Sequence, residues 1–231
     1  MLRYKYVLFD LDGTLVDSAS GITGSVEYAL AHFGITGQTR EQLTRFIGPP
    51  LMDSFMRFYG FPQEKAGEAV DLYRSDYRVR GVHMNTVYPG IPDLLQTLGR
   101  MGCTCCVATS KPEVFANIVV DENGLRPYIS AVYGAELDDK EGRRRKLRSS
   151  KADVIAYALE GLGSPDRGEA LMVGDRRHDI EGAGASGIDS CGVLFGFGSR
   201  EELERAGATH IAGSVREIGT IIMGAENEEI V

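Results

Sequence analysis

Short apolar runs alternate along the chain with stretches whose apolar positions recur at helical spacing. The strand candidates are YVLFD from Tyr6, CTCCVATS from Cys103, ISAVYGA from Ile129 and EALMVGD from Glu169, with a fifth in SCGVLFGFG from Ser190. Helical stretches follow as PEVFANIVVDEN, KADVIAYALEGL, DIEGAGASG and REELERAG. Apolar runs without polar alternation belong to strands covered on both faces. Strands that alternate with helices predict an α/β fold, a parallel sheet with helices on both sides. Ligands of such sheets bind beyond the carboxyl ends of the strands.

One interval breaks the alternation. From about Val16 to Val87 the pattern is helical throughout, in SGITGSVEYALAHFG, TREQLTRFIG, PLMDSFMRFYG and EKAGEAVDLYRSDYRVRG, interrupted by Gly and Pro. About seventy residues is far more than the usual connection of about four to six. The interval is therefore predicted as a small all-helical cap domain, residues 16–86, inserted into a core made of 1–15 and 87–231. Hung on the end of the first strand, it would lie over the functional rim as a lid.

With 231 residues the chain can bury a sizeable core. Its net charge of -8 argues against nucleic acid or an anionic membrane as partner, because phosphate backbones are bound by clustered Lys and Arg. The basic run Arg143 to Lys146 sits in DDKEGRRRKLRSSK, which mixes both signs and lacks aromatics, and reads as a solvated loop. No apolar run reaches membrane-spanning length, and MLRYKYVLFD enters a charged strand pattern rather than a signal peptide. The expectation is a soluble cytoplasmic protein, monomer or homodimer. Cys103, Cys105, Cys106 and Cys191 lack metal-finger spacing and read as buried reduced thiols, the first two on one face of their strand and Cys106 on the other.

Chemistry gathers at the strand ends. The first strand runs into Asp10 and Asp12, and two carboxylates that close beside low-dielectric protein need a cation, a shared proton or a task. Gly13 permits a sharp turn or a positive backbone angle after them. Taken alone, Asp-Gly is also a common turn signal, and one aspartate could cap a helix. The second strand ends in Thr109, Ser110 and Lys111, hydroxyls and amides ahead of a helix whose amino end suits an anion, with Pro112 fitting its first position. Lys151 lies in the first turn of a helix, where acid is usual; by itself it would read as solvated surface. The fourth strand ends at Gly174 and Asp175, and Asp179 follows four residues on. Together these suit phosphoryl transfer. Carboxylate oxygens completed by water select magnesium, while the hydroxyl, amides and lysine hold phosphate oxygens. One aspartate can attack phosphorus, and the other can protonate the leaving oxygen and then deprotonate water.

At these positions the chain resembles the haloacid dehalogenase superfamily of phosphatases. The family's four motifs stand in order as DLDGTL, Thr109 in VATSKP, Lys151 and GDRRHD, and the resemblance covers essentially the whole chain. It implies a Rossmann-like core with a helical cap, a magnesium ion and a small phosphate monoester as substrate. Asp10 would be nucleophile and metal ligand, and Asp12 the general acid/base, with its backbone carbonyl on the metal. Thr109 and Lys151 would bind phosphate, Lys151 also neutralising the nucleophile. Asp175 would be the second metal carboxylate, and Asp179 an outer-shell partner of the metal or a helix cap. Ser110 stands where many phosphoglycolate phosphatase relatives carry Asn, as a further substrate contact.

Within the superfamily, FIGPPL, NTVYPGI, SKPEVFA and LFGFGSREEL resemble the phosphoglycolate phosphatases and neighbours described as 5'-nucleotidases. The Gly48-Pro49-Pro50 segment is a rigid turn that either faces the phosphate or breaks a helix. Arg45, Arg74 and Arg78 either reach a substrate carboxylate or line an exposed helix face. Phe55, Tyr59 and Tyr73 either stack on a nucleobase or fill the cap core. His32, His83 and His210 read as structural or exposed, and His178 as pointing to solvent. The function implied is magnesium-dependent hydrolysis of a small phosphate monoester through an aspartyl-phosphate, in the manner of a phosphoglycolate phosphatase. A 5'-nucleotidase, a phosphomutase of the beta-phosphoglucomutase kind and a non-catalytic binding protein are the alternatives.

Overall fold

The computed structural model describes residues 2–137 and 148–224; the basic run Arg143 to Lys146 lies outside them. The strands are β1 (Tyr6–Phe9), β2 (Val16–Asp17), β3 (Thr86–Val87), β4 (Thr104–Pro112), β5 (Val132–Ala135), β6 (Ala170–Gly174), β7 (Asp189–Val193) and β8 (His210–Ala212). The helices are α1 (Ala19–His32), α2 (Arg40–Thr44), α3 (Leu51–Tyr59), α4 (Gln63–Val79), α5 (Ile91–Arg100), α6 (Glu113–Glu122), α7 (Lys151–Gly161), α8 (Arg177–Ala185), α9 (Arg200–Arg205) and α10 (Val215–Met223). The chain divides into two compact units, Met1–Val16 with Val87–Val231, and Asp17–Thr86.

The first unit is built on a six-stranded sheet in the order β5-β4-β1-β6-β7-β8. Every pairing in it is parallel. β1 lies between β4 and β6, and Val7, Leu8 and Phe9 are wholly buried, as an apolar run with no polar alternation requires. On one face Leu8, Cys106, Ala108, Ala170 and Met172 pack against Val154, Ile155, Ala158 and Leu159 of α7 and Ala183 of α8. Alternation along the strands turns Val7, Phe9, Cys105 and Val107 to the opposite face. All four cysteines are free and buried. β2 and β3 pair as a separate two-stranded ribbon.

The boundaries differ from expectation at several places. The fifth strand stops at Val193, and the Gly-rich stretch after it leaves the ladder as a loop. Pro112 ends β4 and caps α6 instead of opening it, since its extended backbone (ψ 132°) keeps it outside the helix. α8 starts at Arg177, two residues before Asp179. β2, β3, α5, β8 and α10 join the elements picked out by pattern. β4 is also irregular: its register with β5 shifts between Ala108 and Pro112, the segment that carries Thr109 to Lys111. Such a shift frees backbone from the ladder and re-aims its side chains.

The second unit holds α1 to α4 and a single turn of tighter helix at Gly81–His83. Phe46, Phe55, Phe58, Tyr59 and Phe61 form one aromatic cluster, and Tyr73 stacks on Tyr77. Phe55 and Tyr73 are buried and Tyr59 half-buried, so these rings belong to the unit's own core. Arg45 and Arg78 are exposed, and Arg74 is half-buried. Gly48, at φ 100°, and Pro49 form the turn before α3, which begins after its cap at Pro50.

Candidate active site

The central strand delivers the first carboxylate. Asp10 continues the β1 ladder, its N–H donating to the Val173 carbonyl at 2.8 Å, so its side chain emerges at the sheet's carboxyl rim. Its Oδ1 accepts from the Leu11 N–H at 2.7 Å, and the Thr109 hydroxyl also bonds to this carboxylate. Burial pushes the Asp10 carboxyl up to about 6, with Lys151 pulling it down and Asp179 pushing it up.

Lys151 is the first residue of α7 and is buried. Its Nζ lies 2.9 Å from Asp10 Oδ1 and 2.7 Å from Asp179 Oδ1, and donates to the Ala108 carbonyl at 3.1 Å. Burial opposes its charge, but Asp10 and Asp179 overcome that and raise its pKa above the ordinary lysine value. Asp179 serves two ends at once. While Oδ1 meets Lys151, Oδ2 accepts from the Arg176 N–H at 3.0 Å and so caps α8, which is the helix-cap reading of this residue.

Asp175, at the end of β6, is wholly buried. Its Oδ2 accepts from the Phe197 N–H at 2.7 Å, while Oδ1 has no hydrogen-bond partner. Burial first, then the neighbouring Asp179 and Asp10, raise its carboxyl well above the usual range. One oxygen from each of Asp10, Asp175 and Asp179 lies within 4.8 Å of the others. Three buried carboxylates with one lysine among them, and an orphaned oxygen, make a hard-donor set that fits a divalent cation.

Asp12 is not in that group of three. Both of its oxygens meet Lys111, whose Nζ lies 2.8 Å and 2.6 Å away. The Lys111 N–H donates to Thr109 Oγ1 at 3.2 Å, which ties the turn at the end of β4 together. Ser110 between them is half-buried. Gly13 has φ 83°, and a Cβ there would come within 2.3 Å of Asp175 Oδ2, so both the turn and the close approach need glycine.

Two contributors escape sequence reasoning. Lys111 was visible as part of the TSKP strand end, but no spacing tells that it pairs with Asp12. Phe197 acts through its backbone, and the only signal is the G-F-G alternation around it. His178, expected to point to solvent, is half-buried beside Glu181, and burial lowers its pKa. Gly48 and Pro49 belong to the second unit.

A parallel sheet with acidic, hydroxyl and lysine side chains converging on the ends of its central strands defines an α/β enzyme of the hydrolase kind. The chain belongs to the haloacid dehalogenase-like hydrolase family, which it matches over residues 7–193. It is 42% identical over 221 residues to a protein of Pseudomonas aeruginosa named 5'-nucleotidase, covering 96% of each chain. It is 40% identical over 206 residues to the tyrosine-protein kinase PtkA of Mycobacterium tuberculosis, covering 89% of this chain and 67% of that one. A crystal structure of a predicted phosphatase from Clostridium acetobutylicum superposes with a TM-score of 0.88 at 45% identity, over 96% of this chain and 99% of the other. Among the described residues no helix is long and apolar enough to cross a membrane.

Proposed function

We propose that the protein is a magnesium-dependent phosphatase of a small phosphate monoester, working through an aspartyl-phosphate on Asp10. The observation that carries this reading is the Lys151 ammonium, buried between Asp10 and Asp179 at the end of the central strand. The lysine and the Thr109 hydroxyl beside this aspartate support the reading, because such donors offset the charge of a phosphate group.

In the first step a carboxylate oxygen of Asp10 forms a bond to phosphorus as the ester P–O bond breaks, and Asp12 gives its proton to the leaving oxygen. In the second, Asp12 takes a proton from water as that water bonds to phosphorus, and the bond to Asp10 breaks. Inorganic phosphate leaves, Asp10 is again a carboxylate and Asp12 again carries its proton. Thr109 and Lys151 hold the phosphate oxygens, with Ser110 a further contact. Asp10, Asp175 and the Asp12 carbonyl would hold magnesium, with Asp179 outside them; when bound, the ion polarises the phosphate and offsets charge in the transition state. Residues 16–86 are the cap of this reading, and Gly48 and Pro49 its candidate substrate-binding residues. Four unpaired thiols favour a reducing cytoplasmic setting.

The identity to a protein named 5'-nucleotidase favours a nucleoside 5'-monophosphate as substrate. The segments FIGPPL and NTVYPGI favour 2-phosphoglycolate. Phosphate release with magnesium across nucleoside monophosphates, 2-phosphoglycolate, sugar phosphates and pyrophosphate decides between them by the highest kcat/KM. Asp10→Asn is expected to abolish turnover while the protein still folds and binds inorganic phosphate; substantial turnover by that variant refutes the nucleophile assignment.

A further inference from the structure

Two of the described lysines are buried, and the reaction above uses only Lys151. The other, Lys111, has a side chain 5% exposed and holds both oxygens of Asp12, itself 13% exposed. Held on both oxygens by an ammonium, Asp12 faces Lys111 and its charge is committed to that pair. The proposed acid/base of the reaction is thus paired with a lysine that the reaction above does not use.

Lys111 also stands beside Thr109, a phosphate-binding residue of the function proposed above. Its N–H bonds to Thr109 Oγ1, so it belongs to the same turn as the hydroxyl that meets Asp10. Removing the partner of a buried ion is costly, so Lys111 keeps one by passing from a carboxylate to a phosphate, and Asp12 sheds its unpaired charge by taking up a proton. A phosphate dianion brings more charge than a carboxylate and oxygens to match the three ammonium donors.

We propose that Lys111 is a phosphate-binding residue that changes partners: an arriving phosphoryl group takes the Lys111 ammonium from Asp12, and Asp12, left without its cation, takes a proton from solvent that it then hands to the leaving oxygen. The inference rests on Asp12 being the acid/base. It makes activation of Asp12 depend on the dianionic group itself, whatever the rest of the substrate, and so ties proton transfer to a filled site.

The test is calorimetric titration of magnesium-loaded protein with inorganic phosphate, for the wild type, Asp12→Asn, Lys111→Met and the double variant. Lys111→Met is expected to weaken phosphate binding by about tenfold or more, the loss of a charge-assisted hydrogen bond. Asp12→Asn is expected to tighten binding, because Lys111 no longer has to leave a carboxylate. In the Lys111→Met background Asp12→Asn is expected to change little. Equal tightening in both backgrounds would mean simple removal of a negative charge, and it overturns the exchange, as does the absence of tightening in the single variant. Lys111→Gln repeats the cycle should Lys111→Met not fold. Turnover of monoesters by the wild type is a separate readout. Coupling between the two sites without turnover sinks the phosphatase reading and leaves Lys111 a phosphate ligand, whereas turnover without coupling sinks the exchange alone.

Discussion

At the scale of single residues, Asp175 is held by a contact that no side chain makes. The Phe197 N–H fixes Oδ2 and leaves Oδ1 directed elsewhere. The loop can come so near only because its neighbours lack side chains. A Cβ on Gly196 would lie 2.3 Å from the Gly13 carbonyl and 2.4 Å from Asp175 Cβ, and one on Gly198 would lie 1.9 Å from the Asp175 carbonyl. Gly196→Ala must therefore push the loop away from Asp175. Partners that orient a metal ligand typically set affinity by about ten- to a hundredfold. We expect Gly196→Ala to fold and to bind manganese roughly tenfold more weakly or worse, titrated by calorimetry. Wild-type affinity in that variant would show that the loop does not position Asp175. The carboxylates themselves were legible, because strand ends and spacing announce them. The donor on Asp175 was not, since a backbone N–H leaves no mark in the residue it belongs to, and only the glycines flanking Phe197 hint at the approach.

At the scale of elements, the site depends on how α7 begins. Ser150 Oγ accepts from the Asp153 N–H at 3.1 Å, and Asp153 Oδ2 accepts from the Ser150 N–H at 3.3 Å and from its hydroxyl at 2.7 Å. This reciprocal cap satisfies amides at a helix start whose dipole disfavours the cation placed next to it, Lys151. Asp10 and Asp179 offset that penalty. Ser150→Ala is expected to cost about 1 kcal/mol, read as a lower urea midpoint with an unchanged slope. An unchanged midpoint would mean that the ion pairs alone fix the helix start. Elements of this kind were readable in sequence where period and length agreed: β1 spans Tyr6–Phe9 as its apolar run indicates, and α7 starts at Lys151. Beside the two-residue strands β2 and β3, three elements were not. β8 has three residues, too few to show alternation, while α5 opens on Ile-Pro and α10 on a serine cap close after it, where turn signals mask the helical period.

At the scale of the whole molecule, the carboxylate centre links folding to pH and, in the function proposed above, to metal. In the metal-free protein burial pushes Asp10 up to about 6 and Asp175 well above the usual carboxylate range. An unfolded aspartate titrates near about 3.9, so between that value and the folded one the native chain holds protons that the unfolded chain has released. Stability from Asp10 is therefore full below about 3.9 and is lost as pH rises through the folded value. A divalent cation favours the ionised carboxylates and displaces those protons, so it restores more stability as pH rises. Thermal unfolding with chelator should show a melting temperature that falls from about pH 5 to about pH 7.5, and magnesium should raise it little at the lower pH and more at the higher. Asp175→Asn removes one of the crowded carboxylates, so its metal-free melting temperature should fall less over the same range, and magnesium should shift it less at either pH. A magnesium shift that is equal at both pH values, or larger at the lower one, would disconnect the buried carboxylates from the ion. The centre would then be held together by Lys151 alone, and its three acids would need another explanation.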